Sequence, residues 1–258
     1  MPELVEIEAY RRVADRVVGR TIASVQAPDD WYIKDGNSPR TIARVLKGKT
    51  ITGTRRIGKL LLVDTDGATI GMRFGMTGRL TVDGIEGVEE LIYSSKRKDP
   101  AWDRFALTFS DGSRLVINDP RRLGGVGLDP REAHMGPDAD QVSFEDLANA
   151  MQSDAPLKAR LMTQTRLAGV GNLTADELLW RAGLAPERPA RSLDVTELKA
   201  LYKHLKATLR DLHKRGGSHT GDLIAHRKPG GRCPKDGAAL KRATVGGRTT
   251  WWCPEHQR

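Results

Sequence analysis

Two cysteines near the carboxyl end stand in a pattern typical of metal ligands. Cys233 is followed after two residues by Asp236, and sixteen residues later Cys253 is followed at the same spacing by His256. This spacing lets both side chains of one tight turn reach the same ion, and two such turns on a β-hairpin make a tetrahedral zinc site. We therefore predict one structural Zn²⁺ per chain, with His226 as a substitute ligand for Asp236. The alternative is two ordinary cysteines beside an exposed aspartate and histidine.

The positive charge is concentrated in the same part of the chain. Residues 201–258 contain 13 lysines and arginines against 4 aspartates and glutamates, whereas residues 1–200 contain 29 of each. The whole net charge of +9 therefore lies in the last 58 residues. A basic segment can serve solubility alone, but a charge excess confined to one segment is better explained by a polyanionic partner such as nucleic acid.

Composition indicates a folded chain of about two domains. The sequence has 258 residues, of which 38% are hydrophobic and 29% are charged, and no apolar run approaches the roughly 18–20 residues of a membrane-spanning helix. The acidic start of the chain lacks the basic and apolar regions of a signal peptide. We expect a cytoplasmic, nucleoid-associated protein without a membrane partner, and two cysteines are too few for a disulfide framework.

The first half of the chain is predicted to consist of a helix followed by a set of strands. Apolar residues at three- and four-residue spacing predict a helix from Pro2 to about Val18. A strand over 21–26 and a short helix over 40–46 follow. Short alternating segments then predict a sandwich or barrel, with strands at 50–56, 60–64, 68–74, 79–82, 105–109 and 114–118.

The second half is predicted to be helical up to a small basic tail. Residues 129–142 have the composition of a linker, and helices are predicted over 143–152, 156–163, 173–182 and 194–215. Ser143 and Asp194 are the expected N-caps, and Gly216-Gly217 ends the last helix. The predicted fold class is α+β, with an N-terminal helix and β-sandwich domain over 1–130, a helical domain over 143–217 and a C-terminal hairpin over 218–258.

Short motifs spread over nearly the whole chain carry a family likeness. They are Pro2-Glu3-Leu4-Val5-Glu6, Ile57-Gly58-Lys59-Leu60-Leu61, Gly75-Met76-Thr77-Gly78, Asp119-Pro120-Arg121-Arg122, Gly169-Val170-Gly171-Asn172 and Ala175-Asp176-Glu177, followed by the cysteine pattern of the tail. In this order they resemble the formamidopyrimidine-DNA glycosylase and endonuclease VIII family of DNA repair enzymes. The resemblance implies a lysine-bearing hairpin, two DNA-inserting loops, a helix-two-turn-helix domain and a zinc hairpin.

Four positions depart from the family pattern. Val5 replaces the usual second proline, and Leu123 stands where many members have phenylalanine. Asp236 and His256 stand where the family usually has cysteines. This departure changes the expected geometry of the metal site, but a bound metal is still expected.

The resemblance implies a bifunctional DNA glycosylase and apurinic/apyrimidinic lyase, and the N-terminal residues suit that chemistry. Removal of Met1 would expose the secondary amine of Pro2, which can form a Schiff base at the sugar C1′. An α-amino group has a reference pKa near 8, so part of it is neutral at pH 7. Glu3 can act as general acid, and Glu6 lies one helical turn further on. Each residue alone also suits an ordinary helix start.

Three further residues are implied to hold the DNA backbone. By resemblance Lys59 contacts the phosphates beside the damaged nucleotide, and Asn172 and Arg248 are phosphate contacts of the helical domain and the hairpin. The ordinary alternatives are a lysine in an apolar strand that extends to solvent, a helix N-cap and a surface arginine.

A base within a duplex must be flipped out before Pro2 can reach it, at a cost of a few kcal/mol. Wedge residues that fill the vacated space offset that cost. Met76, Arg121 and Leu123 are the candidates, two of them apolar and one a guanidinium that can hydrogen-bond the orphaned base. The alternatives are a loop-packing methionine and a core leucine.

We interpret the chain as an enzyme that excises oxidised bases from double-stranded DNA and acts as a monomer. Oxidised pyrimidines are favoured because only fifteen residues, Ser218 to Arg232, separate Gly217 from Cys233, where members that excise 8-oxoguanine carry a longer segment. The alternatives are a preference for 8-oxoguanine or formamidopyrimidine, and a catalytically silent protein that binds damaged DNA. An RNA-binding module has no support beyond charge.

Overall fold

The computed structural model describes residues 2–88, 90–92, 97 and 99–258. The chain divides into two compact units, one that ends at Glu132 and one that runs from Ala133 to Arg258. The tail belongs to the second of these units, and a separate boundary at residue 217 stays a prediction. In the part of the chain that the structure describes, no helix is long and apolar enough to cross a membrane.

Helix α1 (Leu4–Ala14) confirms the first predicted element. Its apolar residues recur on one face, and Leu4, Ile7 and Tyr10 are almost completely buried there. A 3₁₀ turn over Asp15–Val17 continues it, so the predicted end near residue 18 is correct although the last turn is not α-helical.

Two antiparallel sheets form the predicted sandwich. One sheet has the strand order β1 (Ile22–Gln26), β7 (Asp103–Phe109), β8 (Arg114–Asn118), β5 (Arg79–Val82) and β6 (Ile85–Glu86). The other has the order β2 (Ile51–Ile57), β3 (Leu60–Thr65), β4 (Ile70–Arg73) and β9 (Gly125–Leu128). Helix α2 (Pro39–Leu46) lies between β1 and β2 in the sequence, as predicted.

Strands β6 and β9 were not expected from the sequence. Strand β6 has only two residues, and β9 reads Gly-Val-Gly-Leu, in which glycine has low strand propensity. β9 forms because its backbone pairs with β4 and all four of its residues are buried. Tertiary pairing therefore overrides a weak local preference.

The core of the first unit lies between the two sheets and α1. Its largest fully buried side chains are aromatic, and they come from α1, from β7 and from the segments between strands: Tyr10, Phe105, Phe109, Tyr32 and Phe74. Tyr10 packs on Phe74 with ring centroids 4.6 Å apart, which attaches the helix to the chain that leaves β4. The position of the N-terminal residues is thus fixed by core packing.

The second unit contains the four predicted helices and the tail. The helices are α3 (Phe144–Ala150), α4 (Leu157–Leu161), α5 (Asn172–Ala182) and α6 (Val195–Arg215). Ser143 accepts a hydrogen bond from Asp146 N, and Asp194 forms a capping box with Glu197, so both predicted N-caps are confirmed. Gly216, at φ 90°, ends α6.

The tail ends in a β-hairpin of β10 (Lys241–Val245) and β11 (Arg248–Trp252). Trp251 is 8% exposed and belongs to the core of this small element, as expected for one of the two tryptophans. Metal-ligating residue types flank the hairpin on both sides.

Candidate functional site

The tip of α1 holds two buried carboxylates beside Pro2. Glu3 is 0% exposed and Glu6 is 1% exposed, and Pro2 is also buried. The backbone N–H of Glu3 donates to Glu6 Oε2 at 2.8 Å, and the Glu3 side chain accepts from the backbone N–H of Glu6. This capping box orients both carboxyl groups, and the helix dipole favours negative charge at this end. Pro2, Glu3 and Glu6, the three predicted catalytic residues of the N-terminus, thus share one helix tip.

Tyr10 connects this helix to the next candidate segment. Its hydroxyl donates to Gly78 O at 3.0 Å, at the end of the turn that carries Met76. Burial raises the pKa of Tyr10 well above its ordinary value, and the nearby charge of Glu6 acts in the same direction. The phenol therefore stays protonated and able to donate. The helical spacing of Tyr10 identified it as a core residue but not as a contact to this turn.

Lys59 lies in the turn between β2 and β3, on a hairpin as the resemblance implied, and not in a strand, which was the ordinary alternative. Ile57 pairs with Leu60, so Gly58 and Lys59 form a two-residue hairpin loop. Gly58 has φ 56°, a conformation that glycine adopts without strain. Arg56 Nη1 donates to Gly58 O at 3.3 Å and adds a second cation beside the loop. Lys59 is half-buried at the end of a rigid hairpin.

The two loops with candidate wedge residues touch each other. Met76 lies between β4 and β5, whereas Arg121 and Leu123 lie between β8 and β9. Arg121 Nη1 is 3.7 Å from Met76 Sδ. Leu123 is 50% exposed, which rules out a core role for this leucine. Met76 is half-buried, and Arg121 is exposed.

A buried carboxylate joins these loops. Asp119 is 0% exposed, and its Oδ1 accepts from Thr77 Oγ1 at 2.6 Å and from Arg121 N at 3.2 Å. Its Oδ2 accepts from Gly124 N at 2.9 Å. One side chain thus holds the residue after Met76 and both ends of the Arg121–Leu123 segment. The sequence placed Asp119 in a motif but indicated no role for it.

Arg122 fixes the outer side of the second loop. It has φ 55°, which is uncommon for a residue other than glycine, and it forms a two-point ion pair with Asp29 at 2.5 and 2.7 Å. The Arg122 guanidinium holds the pKa of Asp29 below its ordinary value. This pair attaches the loop to the segment that precedes α2.

In the second unit, Asn172 is the first residue of α5, and Gly171 occupies the N-cap position. Asn172 is therefore not the ordinary N-cap that its position allowed. Its Oδ1 atom is buried and has no hydrogen-bond partner among the residues that the structure describes. Because an unpartnered buried polar atom is costly, this amide is a candidate for contact with a ligand.

Arg248 is exposed at the start of β11. A buried ionic cluster contacts the hairpin that carries it. Lys158 Nζ lies 2.7 Å from Asp176 Oδ1, and Arg227 Nη2 lies 2.8 Å from the same carboxyl group. Lys158 Nζ also donates to Thr250 Oγ1 at 2.7 Å. The cluster joins α4, α5 and the hairpin, and sequence reasoning missed it because its members are far apart along the chain.

The four predicted metal ligands meet at one point. One donor atom from each of Cys233, Asp236, Cys253 and His256 lies within 4.8 Å of all the others. His226 is outside this cluster, and its substitution for Asp236 stays a prediction. Two thiols, an imidazole nitrogen and a carboxylate oxygen at these separations suit a four-coordinate tetrahedral ion such as zinc.

Neighbouring groups orient these donors. His256 Nδ1 faces Asp236 Oδ2 at 2.8 Å and Cys233 Sγ at 3.7 Å, while its Nε2 lies 3.2 Å from Trp180 O. Contact of Nε2 with a carbonyl favours a proton on that nitrogen and leaves Nδ1 free to bind an ion. Trp180 Nε1 donates to Cys233 Sγ at 3.3 Å. The cluster thus fits a resident metal ion in its donors and in their supporting contacts.

Comparison with known proteins agrees with this geometry. The family model described as the formamidopyrimidine-DNA glycosylase N-terminal domain matches residues 1–126, and the model of the H2TH domain from the same glycosylases matches residues 133–222. The formamidopyrimidine-DNA glycosylase of Paracoccus denitrificans is 32% identical over 98% of this chain and 99% of its own length. The chain belongs to the formamidopyrimidine-DNA glycosylase family.

Solved structures of the family have the same fold over the whole chain. Lactococcus lactis Fpg in a complex with DNA that contains an abasic site matches with a TM-score of 0.84 and 25% identity, covering 100% of both chains. MutM in a complex with DNA that contains carbocyclic 8-oxo-G matches with a TM-score of 0.84 and 26% identity, again over 100% of both chains. The predicted α+β fold and family are confirmed. With these relatives and this fold, the protein is a DNA glycosylase.

Proposed function

We propose that this glycosylase excises oxidised bases from double-stranded DNA and then nicks the strand as an apurinic/apyrimidinic lyase, with the amine of Pro2 as nucleophile. The observation that carries the proposal is the pair of buried, mutually oriented carboxyl groups at the tip of α1. Burial of two carboxyl groups needs compensation, and here the capping box supplies part of it. A proton donor and a second carboxylate are thus held beside the chain's candidate amine.

The reaction needs a free amine. Met1 lies outside the described residues, and its removal would expose the secondary amine of Pro2. The neutral amine attacks C1′ of the damaged nucleotide, and a C1′–N bond forms while the glycosidic bond breaks. Glu3 gives a proton to the departing base or to the ring oxygen. The C1′–O4′ bond then breaks, O4′ becomes a hydroxyl group and the amine loses its own proton, so that a ring-opened Schiff base forms. The Schiff base acidifies the C2′ proton, whose loss expels the 3′ phosphate and cleaves the strand.

The remaining predicted residues bind the DNA in this proposal. Lys59 on its rigid hairpin, Asn172 with its unpartnered buried oxygen, and Arg248 on the exposed side of β11 hold phosphates. Neutralising several phosphates gives a strong dependence of binding on salt. The concentration of the net charge in residues 201–258 supports the same partner.

Met76, Arg121 and Leu123 form the wedge that occupies the space of the flipped-out base. Their two loops are in contact and share the Asp119 carboxylate, so the wedge is built before DNA binds. Leu123, half-exposed on a held loop, has the character of an inserting side chain.

Oxidised pyrimidines are the favoured substrates. The segment Ser218–Arg232 contains two 3₁₀ turns, and Glu177 holds it by accepting hydrogen bonds from Asp222 N at 3.0 Å and Leu223 N at 2.8 Å. A short segment held against α5 offers less cover for a large flipped purine than for a smaller pyrimidine. Leu123 also provides less stacking than the phenylalanine of many relatives.

One Zn²⁺ per chain is proposed in the cluster of Cys233, Asp236, Cys253 and His256. Bound there, the ion would link the two chain segments that flank the hairpin and so stabilise a tail with little apolar content. Its role is structural: the ion would hold the hairpin that carries Arg248 in place.

Borohydride trapping on abasic-site DNA tests the enzyme against a silent DNA-binding protein. A covalent protein–DNA adduct is expected, because borohydride reduces the Schiff base to a stable amine. Tight binding without any adduct would support the silent protein. Single-turnover excision of thymine glycol or 5-hydroxyuracil, beside 8-oxoguanine opposite cytosine, then tests the lesion. Faster removal of 8-oxoguanine would contradict the proposed preference.

A further inference from the structure

Trp31 is the most exposed large hydrophobic residue in the described part of the chain. Its relative exposure is 63%, whereas the next residue, Tyr32, is completely buried. Exposed tryptophans are rare in folded proteins because the indole has a large apolar surface. The position therefore calls for a partner.

The exposure of Trp31 is built into the fold. Its backbone N–H donates to Asp29 Oδ1 at 3.1 Å, which caps the 3₁₀ turn Asp30–Tyr32. Lys34 N donates to Val126 O at 2.8 Å, so the segment is attached to β9 on its other side. The buried ring of Tyr32 anchors the centre. Trp31 is thus held at the surface by its neighbours on both sides.

This segment lies directly against the loop that carries Leu123. The ion pair of Asp29 with Arg122 joins the two, and a Cβ atom on Gly124 would be 2.3 Å from Tyr32 Oη. A Cβ atom on Gly125 would be 2.5 Å from Lys34 Cγ. The close approach requires glycine at position 124 and places the segment of Trp31 and Lys34 beside the wedge loop.

Lys34 gives the exposed indole a cationic side. Its Nζ lies 4.1 Å from the centroid of the Trp31 ring and donates to Trp31 O at 2.5 Å. An aromatic face with an adjoining ammonium group matches a nucleotide, which presents an apolar base or sugar next to a phosphate. Asp29 and Asp35 are held in ion pairs with Arg122 and Arg73, and the adjacent Asp30 is exposed.

We propose that Trp31 and Lys34 extend the wedge and bind a nucleotide that flanks the flipped-out position. The indole packs on the base or deoxyribose, and the ammonium group contacts the adjacent phosphate. Flipping unstacks the neighbouring bases and so exposes faces to which an aromatic ring can pack. The inference rests on the proposed function, since it takes the Leu123 loop to be the inserting loop.

Equilibrium binding to a duplex with a tetrahydrofuran abasic analogue tests this contact. Trp31→Ala is expected to raise the Kd about tenfold, in the range of aromatic–base stacking, whereas Trp31→Phe retains a ring and stays within about threefold of the wild type. Val18→Ala removes an apolar side chain of 43% exposure in the same unit and is the control, with an unchanged Kd. Thermal unfolding of each variant checks that the fold is intact.

The salt dependence separates the two side chains. Lys34→Gln is expected to lower the slope of log Kd against log salt by about one, whereas Trp31→Ala leaves this slope unchanged. A wild-type Kd in a folded Trp31→Ala variant would overturn the proposal. Borohydride trapping of the wild-type protein reports the proposed chemistry separately, so trapping with an unchanged Trp31→Ala Kd rejects this contact alone.

Discussion

Thr77 donates its hydroxyl hydrogen to Asp119 Oδ1 at 2.6 Å, although the two residues are 42 positions apart. The contact is fully buried and lies where the Met76 turn meets the Arg121–Leu123 loop. Because Gly124 N donates to the other oxygen of the same carboxylate, neither loop can move without breaking a buried hydrogen bond. The wedge behaves as one unit.

Asp119→Asn is expected to weaken this connection. The amide keeps one acceptor oxygen and turns the other position into a donor, which faces either the Thr77 hydroxyl or the Gly124 N–H. A cost of about 1–3 kcal/mol in the free energy of unfolding is expected, as for an unsatisfied buried group. The Kd for abasic-analogue DNA should rise severalfold, and Thr77→Val, which loses a single hydrogen bond, should have a smaller effect. Equal Kd values for Asp119→Asn and wild type would show that the loops act independently.

Glu3→Gln is expected to separate the two chemical steps. Excision of a damaged base needs a proton from Glu3, whereas a preformed abasic site has no base to expel. The variant should lose base excision but still form a borohydride adduct with abasic-site DNA. Pro2→Gly, or a tag that blocks the amine, should lose both activities while DNA binding remains. A normal adduct from protein with a blocked N-terminus would exclude Pro2 as the nucleophile.

The Asp29–Arg122 pair is expected to weaken only in acid. Hydrogen bonding to Arg122 lowers the pKa of Asp29 in the folded state below the unfolded value of about 3.9. Its contribution to stability is therefore fully present above that value and is lost as the pH falls through the lower, folded pKa. In Arg122→Gln the pKa of Asp29 should rise towards its ordinary value. NMR titration of the Asp29 carboxyl carbon measures both, and an equal pKa in the two proteins would contradict the assigned cause.

Zinc binding by the cluster should depend most on its buried thiols. Cys253 is completely buried, whereas the side chain of Asp236 is 31% exposed, so water can replace the carboxylate more easily. Cys253→Ser is expected to release the ion and weaken DNA binding, and Asp236→Ala should retain part of it. Elemental analysis gives the zinc content, with the non-ligand Glu255→Gln as control. An active preparation without metal would leave a metal-free hairpin.

Asp176→Ala should destabilise the second unit strongly. The change leaves Lys158 and Arg227 buried without their shared carboxylate, and breaking a buried ion pair costs about 3–5 kcal/mol. Asp154→Ala removes an exposed partner of Arg191 and is the control, with an expected cost below about 1 kcal/mol. Urea unfolding measures both, and similar small costs would show that the buried cluster contributes little.

Local spacing in the sequence determined the elements and several groupings of site residues. The helix of Pro2, Glu3 and Glu6, the caps of α3 and α6 and the paired metal-ligand turns all depend on residues a few positions apart. Such geometry follows from helical periodicity, turn chemistry and chain length, which a sequence states directly. The charge excess of residues 201–258 was equally visible.

The tertiary structure alone decided which distant groups meet. Thr77 reaches Asp119, Asp29 reaches Arg122, and Lys158 reaches Asp176 only after strands and helices have paired. Strand β9 exists because β4 lies beside it, and His226 is outside the metal cluster although its residue type was suitable. These outcomes depend on long-range packing. The strands and helices adopt the arrangement that buries the most apolar surface, and that arrangement decides which distant residues meet. No short window of sequence contains that information.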